Sequence, residues 1–289
     1  MSSSYADDTN ARRKFALKFQ LYNISVMIPK LIQDISSWMT AYFLKINPSK
    51  TEIILFSPPT SNSVPKIQGV FIDNNCIRFN NTVKLLGVHL DSSLSFDNHV
   101  NKTVSECWYH LKNIAKIQRY LNSDELKKLV HAIICSKLDY CNSVLYGLKS
   151  SCIAKLQSVQ NEAARIVCRS SSSGPLSNTV FHDLHWLEIQ ERVVFKLMLL
   201  VHKMFTDQAP TYFSDILVIK DLAKRLLYVN FKNTVQGRRA FSYAAPRFWN
   251  HLPEDVRLQN DSGRFKTMLK TLLFTKANNF MQSVQMYYN

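Results

Sequence analysis

No two cysteines of this chain form a CxxC pair, and no CxxC…HxxxH spacing occurs in its 289 residues. The six cysteines, Cys76, Cys107, Cys135, Cys141, Cys152 and Cys168, therefore point neither to a metal knuckle nor to a disulfide framework. Several fall on apolar helix faces, as buried thiols do in a reducing compartment. GxxxxGK(S/T), GxGxxG, GxSxG and HExxH are missing too. Nucleotide hydrolysis, dinucleotide binding and the common hydrolases lose their support with them. No apolar run reaches transmembrane length, and MSSSYADDTNARRK lacks the hydrophobic stretch of a secretory signal. The expectation is an intracellular protein of nucleus or cytoplasm, neither secreted nor membrane-spanning.

Acidic residues are scarce: 21 stand against 36 lysines and arginines, for a net charge of +15. Basic exceed acidic residues by 10 to 6 over 1–96, 11 to 6 over 97–169 and 15 to 9 over 170–289. No basic tail accounts for the excess. A positive field spread in this way suits a polyanion, nucleic acid before membrane; the plainer alternative is a basic globular protein without such a partner. With 46% hydrophobic residues the chain can bury cores in two or three units.

Leu31, Ile32, Ile35, Trp38, Met39 and Tyr42 recur at helical spacing, which predicts an amphipathic helix over Pro29–Lys45 with proline in its first turn. An Asn47-Pro48-Ser49 turn leads through Lys50 into an expected strand, Thr51–Phe56. Ser57–Pro65 reads as a loop, and short strands follow near Val70–Ile72, Cys76–Phe79 and Leu85–Leu90, with a turn at Asp73-Asn74-Asn75. From Asp97 the period becomes 3.6. Val104, Cys107, Trp108, Leu111 and Ala115 form a stripe edged by Lys112, Lys116 and Arg119. A second helix opens at Ser123, the expected N-cap, and a third runs from Cys152 to Cys168. After the Ser-rich linker around 170–178, apolar helices are expected over Leu187–Phe205 and Ser262–Phe280, with an aromatic segment at Phe241–Trp249. The fold class is α+β.

The run LKINPSKTEIILF (Leu44–Phe56) followed by VKLLGVHLD (Val83–Asp91) resembles the late palm motifs of LINE-type, jockey-like (non-LTR) retrotransposon reverse transcriptases. The likeness extends over most of the chain. Asp34–Phe56 looks like the helix and strand after the polymerase aspartates. The stretch Leu85–Tyr146, with the runs LLGVHLDSSLSFDNHV and LVHAIICSKLDYCNSVLYGL, looks like the end of the palm and the helical thumb. Leu156–Arg165, Leu184–Leu187 and Arg239–Arg257 resemble blocks of the C-terminal region. The resemblance implies a truncated palm over 1–95 (short antiparallel strands plus one helix), a helical thumb over 96–169, the linker over 170–178 and a mostly helical module over 179–289. That module is expected to fold around Trp186, Phe195, Leu199, Phe241, Phe248 and Trp249.

The same resemblance implies an RNA-directed DNA polymerase that uses Mg²⁺, an RNA template and a DNA primer. Tyr5-Ala6-Asp7-Asp8 matches the Tyr-x-Asp-Asp hairpin, so Asp7 and Asp8 would be metal ligands. Lys50 would be the cation near the nucleotide. Leu86 and Gly87 would grip the primer end, and Lys112, Lys116 and Arg119 would follow the phosphates of an RNA–DNA hybrid. A second alignment sets Phe15–Tyr22 against the aspartate run, with Leu17 and Lys18 at the carboxylate positions; both alignments stand at this point. With Met1 four residues before Tyr5, the strand preceding the Asp-Asp turn, the fingers and the third carboxylate are expected to be missing. The implied product is a fragment inactive on its own. The alternatives are a non-catalytic nucleic-acid-binding or interaction protein, or a functionless remnant. The spacings of Trp108, Trp186 and Trp249 favour core packing over base stacking, and His182 with His185 lacks acidic or cysteine partners for a metal.

Overall fold

The computed structural model of the chain describes residues 2–5, 8–11, 26–56, 69–72, 75–170, 181, 183–230, 232 and 234–275. They fall in two compact units, Met1–Ser95 and Phe96–Asn289. The mixed α+β class is as the sequence indicates.

In the first unit, strands β1 (Ser2–Tyr5) and β2 (Asp8–Ala11) pair antiparallel, with Tyr5 opposite Asp8. A strand, Ser2–Tyr5, thus does precede the two aspartates in the sequence, contrary to expectation. Helix α1 (Ile28–Ala41) has Pro29 in its first turn and stops four residues short of Lys45. It buries no residue, and Trp38 and Tyr42 of its expected apolar stripe are exposed, their ring centres 5.0 Å apart. The predicted strand Thr51–Phe56 shrinks to β3 (Ile53–Ile54). β3 runs parallel to β5 (Asn75–Asn80), whose other edge pairs antiparallel with β4 (Gly69–Ile72). The parallel pairing departs from the expected all-antiparallel palm strands. β6 (Thr82–Leu85) and β7 (Val88–Asp91) form a separate hairpin.

The second unit begins with α2 (Asp97–Ile117), 21 residues whose buried side chains His99, Val100, Cys107, Leu111 and Ile114 repeat at three- and four-residue intervals. Asp97 in its first turn and Lys116 in its last both suit the helix dipole. α3 (Ser123–Val130) is capped by Asn122, not Ser123. Asn122 Oδ1 accepts from Glu125 N, and Glu125 Oε2 accepts from Asn122 N, each at 2.9 Å. This reciprocal box satisfies two orphan amides at once. A π turn (His131–Cys135) leads into α4 (Ser136–Asp139). Then come α5 (Ser150–Cys168), α6 (Ile189–Phe205) and α7 (Tyr212–Ile216). The short hairpin β8 (Ile219–Asp221) with β9 (Leu226–Leu227) precedes α8 (Val235–Arg239), α9 (Phe241–Asn250), α10 (Glu254–Arg257) and α11 (Ser262–Thr275). One continuous cluster of buried side chains draws Leu111, Leu126, Ile134 and Leu156 together with Trp186, Leu197, Phe248, Trp249 and Phe265. Phe195, Leu199 and Phe241 lie half-buried against it. Among the described residues, Cys107, Cys135 and Cys152 are buried thiols, while Cys76 and Cys168 are exposed.

Two titratable groups on α6, His202 enclosed and Glu191 half-buried, make stability depend on pH. His202 is fully enclosed and stacks on Phe265 at 4.1 Å. Its Nε2 lies 3.0 Å from the Gln259 carbonyl, which can only accept, so that nitrogen carries the proton. Burial holds its pKa below the ordinary value. The unfolded chain then binds more protons than the folded one, and stability falls as pH drops below about 6.5. Glu191 runs the other way: burial first, then the charge of Glu188, raises it to about 7. Its contribution is present in acid and is lost as pH rises from the unfolded value through about 7. In urea titrations, the parent is expected to lose stability relative to His202→Phe on going from pH 7 to pH 5. It is expected to lose stability relative to Glu191→Gln from pH 5 to pH 8. Parallel profiles would contradict both assignments.

Candidate nucleic-acid interface

Lys112, Lys116 and Arg119 recur at four and three residues along one flank of α2 and the 3₁₀ turn that prolongs it (Gln118–Tyr120). All three are exposed, because Leu111 and Ile114 have turned the opposite face into the core. The far end of this stripe is pinned. The Arg169 guanidinium, at the end of α5, donates to the carbonyls of Gln118 and Leu121, and the Asn122 box begins directly after. Orphan carbonyls at a helix C-terminus are thereby satisfied by a cation, which also suits the dipole. Arg119 donates from Nη2 to the Tyr120 hydroxyl at 2.6 Å, and its guanidinium carbon lies 4.7 Å from that ring's centre. On the same helix Glu106 pairs with Lys137 at 2.7 Å. A row of cations on a fixed helix edge can meet successive phosphates without reading base identity.

The residues expected at a polymerase centre lie in the first unit. Asp7 lies outside the described residues, and of Asp8 only the backbone, the first residue of β2, is described. Residues Phe15–Tyr22, with Leu17 and Lys18, lie outside them too. Lys50 does not open a strand; it is the exposed last residue of a 3₁₀ turn, Pro48–Lys50. Asn47 shapes that turn, its Oδ1 accepting from Ser49 N at 3.0 Å and Ser49 Oγ at 2.6 Å. An open groove of about 420 Å³, lined by Asn47, Pro48, Ser49, Cys76 and Ile77, runs beside it.

Leu86 and Gly87 are the two loop residues of the β6–β7 hairpin, with φ of 44° and 82°. Positive φ at both positions is what a type I′ turn demands, so Gly87 is cheap there and Leu86 is strained. Leu86 nonetheless stands about half exposed at the tip. β3, which follows Lys50, lies beside β6, so the Lys50 turn and the Leu86-Gly87 hairpin belong to neighbouring strands. Among the described residues no three His, Cys, Asp or Glu side chains gather as a metal site. Two adjacent carboxylates such as Asp7 and Asp8 supply the hard oxygen donors that Mg²⁺ takes.

The chain's motif blocks turn out to hold packing contacts whose partners are distant in sequence. Asp139 accepts two bonds from Arg192 Nη1, at 2.9 and 2.8 Å. Gln160 donates to the Leu187 carbonyl at 2.8 Å, and Gln157 accepts from Ile189 N at 3.0 Å, so α5 caps the start of α6. Arg239 Nε donates to the Tyr146 carbonyl at 3.3 Å, and the Tyr146 ring meets Phe248 edge-on at 5.5 Å. Gly147, with φ of 67°, passes under Arg239 so closely that a Cβ would lie 2.6 Å from its Cγ. Trp249 Nε1 donates to the Arg225 carbonyl at 2.6 Å, and Asn250 takes both backbone groups of Leu227, Oδ1 accepting at 2.9 Å and Nδ2 donating at 2.7 Å. After LLGVHLD, Asp91 accepts from Ser93 N at 3.2 Å and Ser95 N at 2.9 Å, which shapes the turn into α2. Sequence reasoning missed these pairings. His182 lies outside the described residues and His185 is exposed.

A relative now fits this picture: the probable RNA-directed DNA polymerase from transposon BS of Drosophila melanogaster, 24% identical over 181 residues. The chain is similar to a transposon reverse transcriptase. The match covers 57% of this chain and 18% of the relative, so it spans less than a fifth of that protein's length. It is consistent with the LINE-type resemblance of the motifs. No family model and no solved structure matches the chain. Among the described residues, no helix is long and apolar enough to cross a membrane.

Proposed function

We propose that this chain is the template- and primer-holding part of a LINE-type reverse transcriptase, and that its own activity is to bind nucleic acid through phosphates rather than to polymerise. The exposed row Lys112, Lys116 and Arg119 on a helix anchored by its buried face carries the reading. Residues 1–95 would correspond to palm, 96–169 to thumb, 170–178 to the linker and 179–289 to a C-terminal helical region. In an assembled polymerase Asp7 and Asp8 would hold Mg²⁺, which activates the primer hydroxyl and stabilises the leaving pyrophosphate. Lys50 would stand on the nucleotide side, and the Leu86-Gly87 tip would meet the primer end. RNA template and DNA primer are the partners.

The resemblance assigns two of the three carboxylates such chemistry needs and places the third on no residue of this sequence. Phosphoryl transfer depends on positioning by the complete set. The rival, a non-catalytic nucleic-acid-binding protein, shares the stripe and differs only in what Asp7 and Asp8 do. The expected result with RNA template, annealed DNA primer, deoxynucleotides and Mg²⁺ or Mn²⁺ is binding without primer extension. Extension that disappears in an Asp7→Ala, Asp8→Ala variant would show an active polymerase instead.

A further inference from the structure

Tyr109 and Tyr120 are large aromatic rings left in solvent on the helix that carries the cations, 65% and 71% exposed. Packing gives no reason for either, since the core face of α2 is already supplied by Cys107, Leu111 and Ile114. Tyr109 lies one turn before Lys112, and Tyr120 directly follows Arg119. Counting the helical and 3₁₀ rises, the two are roughly 18 Å apart along the axis. The Tyr120 ring is also held in place: Arg119 binds its hydroxyl, and Arg169 fixes the backbone of the turn that presents it. Tyr109 has the His110 ring beside it at 5.4 Å, edge-on.

Cations alone suit any phosphate backbone. Exposed rings flanking a row of cations suit a strand whose bases are free, because a duplex keeps its base faces stacked on one another and offers an outer ring nothing to stack on. We propose that this end of α2 holds a single-stranded nucleic-acid tract, with bases stacked on Tyr109 and Tyr120 and phosphates met by Lys112, Lys116 and Arg119. This rests on the phosphate-binding reading above and adds the form of strand it takes. Arg169 acts as a positioning residue for the Tyr120 plate.

The test uses the full chain, labelled oligouridylate as a strand without self-pairing, and an RNA–DNA hybrid of equal length, followed by fluorescence anisotropy. Stacking contributes about tenfold in affinity per base. The Tyr109→Ala, Tyr120→Ala variant should therefore bind oligouridylate about a hundredfold more weakly while binding the hybrid as the parent does. The Tyr109→Phe, Tyr120→Phe variant keeps both rings and loses only the hydroxyl that Arg119 holds, so it should bind oligouridylate far more tightly than the alanine variant and the hybrid as the parent does. Equal weakening on both ligands would make the tyrosines general contacts and overturn the proposal. So would an alanine variant that changes neither ligand while Lys112→Glu, Lys116→Glu, Arg119→Glu weakens both, and in that case the phosphate reading would survive. If the glutamate variant also changes neither, both readings fall.

Discussion

Trp249→Ala is expected to remove about 3–5 kcal/mol from the second unit, the range for deleting a fully enclosed indole. Trp249 is completely buried, stacks on Phe205 at 5.5 Å and leans on Phe265 at 5.8 Å. Its indole N–H holds the Arg225 carbonyl at the turn of the β8–β9 hairpin. Alanine leaves a cavity where α6, α9 and α11 meet, and it leaves that carbonyl without its donor. Set against a total of about 5–15 kcal/mol for a typical domain, the loss brings the unit close to unfolding at ordinary temperature. Urea denaturation followed by circular dichroism should show a midpoint displaced toward zero denaturant. Asn250→Ala, which loses two bonds to Leu227 and no ring, should cost distinctly less. A Trp249→Ala protein as stable as the parent would contradict the core described here.

The second large effect concerns dissection of the same unit. Residues 96–170 and 181–275, produced separately, should each fail to fold cooperatively, and together should regain the helical signal and melting of the parent. The buried cluster crosses the division: Leu156 and Tyr146 on one side share it with Trp186, Leu197 and Phe248 on the other. The polar clamps cross it too, from Gln160 to Leu187 and from Asp139 to Arg192. Neither piece can bury its apolar face alone, and apolar burial at about 25 cal/mol per Å² is the main favourable term either would have. Cooperative unfolding of 181–275 by itself would show that the C-terminal region carries its own core.

Much of this is legible in the periodicity of the sequence. The 3.6 repeat of Val104, Cys107, Leu111 and Ala115 gave α2, and the apolar run up to Phe205 gave α6, because burying one face of a helix leaves a local pattern. Ends were harder to see. Asn122 and Ser123 are both good caps, and the choice fell to Asn122 because Glu125 stands three residues after it. β3 came out far shorter than its β-branched sequence suggests, since strand length is set by the partner, here the two residues Phe79 and Asn80. Local pattern says nothing about Asp139 reaching Arg192, or Arg239 crossing over Gly147. Such pairs are separated by tens of residues and join only in the fold. At the interface the cations Lys112, Lys116 and Arg119 were legible from spacing, whereas the part of Arg169 was not, because it acts across from another helix.

The central claim is that α2 binds nucleic acid through its cationic edge, and the salt dependence of hybrid binding tests it most directly. Each phosphate neutralised contributes about 0.9 logarithmic units of affinity per tenfold change in salt. A labelled RNA–DNA hybrid should be titrated at several salt concentrations with the parent and with the Lys112→Glu, Lys116→Glu, Arg119→Glu variant. The prediction is weaker binding to every sequence alike, with a slope flatter by about three contacts' worth, near 2.7 units. If the variant binds as tightly as the parent, with the same slope, the row of cations is only the wetted edge of a helix and the interface lies elsewhere.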